Sequence, residues 1–140
     1  MSSILEDINA ASLWISKALA SSGYAVDFSP ASLWQIERFF QEHSENGGAK
    51  PGGLLSDQLG VRLFSIGAYV GEVIRQSRGG QWVGDDNDPA VELNVELHLS
   101  DGTVCWPMQR IVNRVSNGEE DSIIAYAQGF DVSVGPRPAS

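Results

Sequence analysis

The sequence has one cysteine, Cys105, which excludes a disulfide within the chain and a zinc site built on cysteines. It also lacks any apolar run near the roughly 20 residues that a membrane-spanning helix needs. No basic region precedes the first apolar residues, and Glu6 and Asp7 interrupt them, unlike in a secretory signal. We therefore expect a reducing, cytoplasmic compartment and no membrane partner.

Basic residues are scarce, with nine Lys and Arg against eighteen Asp and Glu and a formal net charge of -9. Such a chain repels phosphate backbones, so we expect no nucleic-acid partner. An acidic surface complements a basic protein partner, although acidity also serves solubility alone. The length of 140 residues and the 42% hydrophobic content are typical of one globular domain.

Two amphipathic helices are predicted near the N-terminus. Between Ile4 and Leu19, apolar residues recur at helical spacing after a possible cap at Ser3. Ser29 and Pro30 then combine a serine cap with a proline at the first helical position, which indicates a second helix start.

A long central helix is predicted from residue 54 to about residue 78, after a glycine-rich connector at 45–53. Its apolar positions cover most of its circumference, so most of the helix should be buried. The remaining polar stripe includes Tyr69 and Glu72, and we expect it to face solvent or a cleft.

Gly67 and Gly71 lie inside this helix, where each costs about 1 kcal/mol relative to alanine. They do not follow a strand, as glycines of a dinucleotide-binding turn would. Their interpretation is structural: another element packs closely against the helix at both positions.

A β-hairpin is predicted after the central helix. Apolar and polar residues alternate from 91 to 98, Asp101-Gly102 supplies a tight turn, and residues 103–106 return as the partner strand. Residues 81–83 form a shorter third strand. Trp82 and Trp106 are both expected to pack in the core.

The connection from 84 to 89 is acidic and carries Asp85, Asp86 and Asp88. We expect these carboxylates, with the acids at 92–96 and 119–121, to form a surface for a basic partner, because opposite charge accelerates encounter. A solvated loop that serves solubility, or a loop that holds a cation, are the alternatives.

The C-terminal part predicts two helices, one opened by Pro107 and one that follows the acids at 119–121. The fold class is thus α+β, with two N-terminal helices, a long central helix, a small antiparallel sheet with an Asp-Gly hairpin and two C-terminal helices. We expect one domain over residues 1–131 and a disordered tail at 132–140.

No residue set predicts catalysis, a metal site or a cofactor. His43 and His98 lack a second histidine or cysteine at ligand spacing, and no serine lies in a nucleophile elbow. His98, beside Glu96, is interpreted as a solvated sheet residue, and His43 as a partner of its helix dipole.

Glu72 has three interpretations. It is a solvated acid paired with Arg75 or Gln76, an anchor for the strand that contains Trp82, or a pocket acid beside Tyr69. The third leads to an alternative function, a small enzyme or ligand binder with a cleft near Tyr69, Glu72 and His98.

The run from Gly67 to Ile74, followed by Gly79-Gly80-Gln81-Trp82 and later by Asp101-Gly102 and a helix that starts at Pro107, resembles small bacterial domains without an established activity, over roughly residues 54–130. The resemblance implies no catalytic residues. By analogy, small acidic α+β proteins of bacteria are often immunity or adaptor proteins. The expected function is therefore non-catalytic protein binding, with a basic partner.

Overall fold

A computed structural model describes residues 3–138 of the chain, and these form the predicted α+β fold. The helices are α1 (Ile4–Ser21), α2 (Leu33–His43), α3 (Leu59–Arg78), α4 (Val91–Asn94), α5 (Pro107–Asn117) and α6 (Ile123–Gly129). The strands are β1 (Ser44–Glu45), β2 (Gly48–Ala49), β3 (Gly80–Val83), β4 (Glu96–Leu99) and β5 (Val104–Cys105). Short 3-10 turns at Pro30–Ser32 and Gly118–Asp121 precede α2 and α6.

Helix α1 begins with a capping box. The Ser3 hydroxyl accepts from the Glu6 amide at 3.2 Å, and the Glu6 carboxylate reaches back to Ser3. The apolar face predicted for this helix is buried, chiefly against α3. None of the helices within residues 3–138 has the length and hydropathy to cross a membrane.

The central helix α3 begins at Leu59, five residues after the predicted start. Gln58 has a φ of 52°, a left-handed conformation that separates the helix from the preceding turns. Both α1 and α5 pack on α3, and its middle, from Leu63 to Ile74, is buried over most of the circumference, as predicted. The polar stripe is buried in its middle, at Ser65, Tyr69 and Glu72, so the prediction that it faces solvent or a cleft is wrong there. It holds at the ends of the stripe, where Gln58 and Gln76 are exposed.

The two interior glycines of α3 mark its closest contacts. A Cβ added to Gly67 would lie 2.9 Å from the Met108 Cα of α5. One added to Gly71 would lie 2.1 Å from the Trp82 ring of β3. Only glycine therefore permits both neighbours to approach this near without rearrangement.

The main sheet has the order β3-β4-β5, with both pairings antiparallel. The Asp-Gly hairpin is confirmed, and Gly102 adopts a φ of 92° in its turn. The predicted strand is wrong in its first half, since residues 91–94 form α4. Asp88 explains the difference, because its carboxylate accepts from the Ala90 amide at 2.9 Å and the Asn94 side chain at 3.0 Å, which closes a turn.

A buried ion pair joins α2, α5 and α6. Arg114 donates to Glu37 at 3.1 Å, and both side chains are less than a tenth exposed. The Ile123 amide, at the start of α6, donates to the same carboxylate. Glu37 thus fixes two neighbouring helices at once.

The packed chain extends past residue 131. Val132 and Val134 are 1% and 2% exposed and belong to the main core, so the prediction of a disordered segment from residue 132 is wrong at these positions. Its last two residues, 139 and 140, lie outside the described part of the chain.

Candidate protein-binding surface

Tyr69 is an interior residue with 0% exposure. Its hydroxyl lies 2.6 Å from the Ser32 hydroxyl and accepts from the Phe28 amide at 2.8 Å. Burial raises the pKa of Tyr69. The residue therefore holds the segment that enters α2 and does not line a surface cleft.

Glu72 anchors β3 to α3. Its carboxylate accepts from the Arg75 guanidinium and, at 3.2 Å, from the Trp82 indole. The hydrogen bond to Glu72 raises the pKa of Arg75. The geometry matches the anchor interpretation and also the pairing with Arg75, while the expected solvation of Glu72 is wrong.

His98 lies on β4, with its Nε2 2.8 Å from Glu96 and with its side chain 42% exposed. It lines a shallow depression of about 360 Å³ with Gly80, Gln81, Leu99 and Ser100. Tyr69 and Glu72 are not among these lining residues. The three residues of the predicted cleft thus have three separate environments.

In the acidic loop after β3, aspartate carboxylates accept hydrogen bonds from nearby backbone amides. Asp85 accepts from the Asn87 amide at 2.9 Å, and Asp88 closes the turn into α4. Asp86 accepts from the Ile4 amide at 2.7 Å, which joins the loop to the start of α1. Among residues 3–138, no three His, Cys, Asp or Glu side chains are placed to hold a metal ion, so the cation alternative lacks a ligand set.

Apolar side chains are exposed beside these acids. Leu5, Val83 and Leu93 are 49%, 45% and 46% exposed. Gly84 brings their surroundings together at one end of the molecule, because a Cβ there would lie 2.9 Å from Ile4 of α1 and 3.4 Å from Val91 of α4. We call this region the acidic end. Its members are Leu5, Glu6, Val83, Asp85, Asp86, Asp88, Glu92 and Leu93.

The acidic end is set in a segment without positive charge. No Lys or Arg occurs between Arg78 and Arg110, an interval that holds six Asp and Glu. Several acids elsewhere have arginine partners: Asp121 pairs with Arg110 at 2.7 Å, and Glu37 with Arg114. The predicted second acidic segment at 119–121 is therefore partly neutralised within the fold.

Sequence reasoning missed a hydrogen-bonded group at the end of α2. Tyr24 donates to Glu42, the His43 Nε2 lies 3.0 Å from the Tyr24 hydroxyl, and the Leu54 amide donates to His43 Nδ1 at 3.1 Å. Burial raises the pKa of Tyr24 to about 12 and lowers that of His43. These contacts, rather than the helix dipole alone, place His43. Leu54 reaches His43 only in the folded chain, so no local sequence pattern predicts this set of hydrogen bonds.

Trp106 is a further correction, because 41% of it is exposed instead of being packed in the core. It lines a groove of about 260 Å³ between β5, α5 and α6, together with Tyr126 and Phe130. Trp82, by contrast, packs against the core as predicted. Pro107 fixes the start of α5 directly after Trp106, which leaves the indole at the helix end.

Comparisons with protein-family models, with curated proteins and with solved structures found no match. The resemblance to small bacterial domains, carried by the stretch from Gly67 to Trp82, therefore stays a prediction.

Proposed function

We propose that this chain is a non-catalytic protein-binding domain that takes a basic partner at its acidic end. One observation supports this most: the segment that carries Asp85, Asp86, Asp88 and Glu92 has no Lys or Arg, and it also carries the exposed apolar residues Val83 and Leu93. An immunity- or adaptor-like role in the cytoplasm, without nucleic acid, is part of the same proposal.

The two kinds of side chain have different tasks in this proposal. The carboxylates attract a positively charged protein and accelerate encounter, an effect that salt weakens. Leu5, Val83 and Leu93 supply the apolar contact area that an interface core needs. A surface with charge alone would attract many cations, so the apolar residues add selectivity.

The alternative of a small enzyme or ligand binder is less well supported. It needs Tyr69, Glu72 and His98 at one cleft, but two of them are buried and already hydrogen-bonded to protein groups. A ligand could reach only His98 without displacing those partners. We therefore retain protein binding as the proposed function.

The test is a ¹H–¹⁵N NMR titration with a defined peptide of alternating Lys and Leu, and with a Glu-Leu peptide as the charge-reversed control. We expect the basic peptide to shift amide signals of residues 4–6 and 83–94, and salt to reduce the effect. The acidic peptide should leave these signals unchanged.

Two double variants distinguish an effect of the acidic end itself from an effect of the overall net charge. Asp85→Asn with Asp88→Asn and Glu119→Gln with Glu120→Gln each remove two negative charges. Only the first pair should weaken binding of the Lys-Leu peptide. Equal weakening by both pairs, or signal shifts spread over all acidic positions, would contradict a specific surface at the acidic end.

A further inference from the structure

The end of the described chain lies on a tryptophan of α2. Trp34 donates its Nε1–H to the Gly135 carbonyl at 3.2 Å. The Arg137 guanidinium carbon lies 5.2 Å from the centre of the Trp34 ring, within cation–π range. The buried Val132 and Val134 fix the preceding chain, so residues 135–138 extend from an anchored point.

Two depressions flank this contact, with volumes of about 430 and 270 Å³. Both are lined by Trp34, Glu37, Gln41 and Arg137. Glu37 already pairs with Arg114, and the Gln41 amide nitrogen donates to Glu119 at 3.0 Å. The indole N–H of Trp34, which donates to the tail itself, is therefore the polar group that a ligand in place of the tail would use. Because the two depressions share these residues, they lie side by side along α2, and we call them together the Trp34 groove.

The occupant of this groove has a defined chemistry. Pro136 and Pro138 fix their own φ near −65° and disfavour helical geometry at the residues before them. An aromatic surface and a donor to a backbone carbonyl are the means by which aromatic-lined grooves bind extended proline-rich segments. Such segments lose little entropy on binding, because they are already restricted.

We propose that the Trp34 groove is a binding site for a proline-arginine segment of a partner protein, and that the chain's own residues 135–138 occupy it in the free protein. This surface is separate in its residues from the acidic end, and the inference does not depend on the proposed function. A tethered segment has an effective concentration on the order of millimolar, so it competes with any segment from outside.

The experiment uses the full chain and the peptide acetyl-Pro-Pro-Arg-Pro-Pro-amide. The Trp34 indole N–H signal, assigned by its loss in Trp34→Phe, reports on the groove. A tail-open variant carries Pro136→Gly, Arg137→Gly and Pro138→Gly and keeps the buried valines. We expect the peptide to shift the Trp34 signal in this variant with an apparent Kd about tenfold lower than in the unaltered chain, because the competing segment is weakened.

Three controls decide the outcome. Trp106→Phe should bind the peptide like the parent, and a peptide with alanine in place of every proline should not bind. An unchanged Trp34 signal at millimolar peptide in the tail-open variant, with its fold intact by circular dichroism, would overturn the proposal. Concentration-dependent dimerisation of the unaltered chain that the tail-open variant loses would also overturn it, since it would assign the groove to a second copy.

Discussion

Carboxylates of the interior and carboxylates of the acidic end have the same chemistry but opposite surroundings. Glu37 and Glu72 are buried and accept hydrogen bonds from arginine, indole or amide donors of distant residues. Asp85 and Asp86 accept backbone amides but remain exposed. A buried acid in this fold thus fixes helices and strands, while the acids open to solvent remain available to a partner. The following substitutions test this division.

The largest effect is expected for Glu37→Ala. This change leaves Arg114 buried without its carboxylate and removes the acceptor of the Ile123 amide. Loss of one partner of a buried pair costs about 3–5 kcal/mol, and we expect the free energy of unfolding in urea to fall by that amount. Arg78→Ala, which breaks an exposed pair with Asp101, should cost only about 0–1 kcal/mol. Similar losses of unfolding free energy in both variants would contradict the difference between buried and exposed ion pairs.

Gly67→Ala tests the packing that encloses the interior. The new Cβ would lie 2.9 Å from the Met108 backbone of α5, so one helix must shift. Overpacking of this kind costs about 1–3 kcal/mol. Gly60→Ala is the matched control, because it lies in the same helix with no atom within 4 Å of the new Cβ and should gain up to about 1 kcal/mol. The midpoint temperature of thermal unfolding should therefore fall for Gly67→Ala and rise for Gly60→Ala, relative to the unaltered chain.

A smaller effect, visible only as a pH dependence, is expected at His43. Burial lowers its pKa below the ordinary 6.5, and protonation at Nδ1 would break the bond from the Leu54 amide. The unfolded chain then binds the proton more tightly, so this contribution to stability is present above pH 6.5 and is lost as the pH falls below it.

Unfolding curves at about pH 7.5 and about pH 5.5 measure this contribution. Between these two pH values, the His43→Gln variant should lose less unfolding free energy than the unaltered chain. His98→Gln is the control, because it removes the other histidine and leaves the contacts of His43 in place. An equal response of all three proteins would mean that His43 is not responsible.

Local patterns predicted the elements of the fold well. Helical spacing located α1, and Asp101-Gly102 located the hairpin, since each signal depends on neighbours in sequence. Element boundaries were harder to predict. The alternation from Val91 suggested a strand, but side-chain hydrogen bonds of Asp88 close a helical turn there, and periodicity does not report such bonds.

The environment of polar residues was the part that sequence could not supply. Tyr69 and Glu72 occupy a polar stripe of α3, yet the partners that satisfy them, Ser32 and Trp82 among them, come from other elements. Val132 and Val134 follow the last helix and carry no periodic signal, although they fill the core. The acidic loop could be identified directly, because its composition alone marks it, but its contact with α1 could not.

The most direct test of the account replaces Asp85, Asp86 and Asp88 by asparagine together and measures association with the Lys-Leu peptide by stopped flow at roughly 20 and 200 mM salt. Asparagine keeps an acceptor oxygen for the hydrogen bonds that close the loop, so the free energy of unfolding should change little. We predict a lower association rate for the triple variant and a weaker dependence of that rate on salt. Identical rates and identical salt dependence in the variant and the unaltered chain would contradict the role of the acidic end in binding.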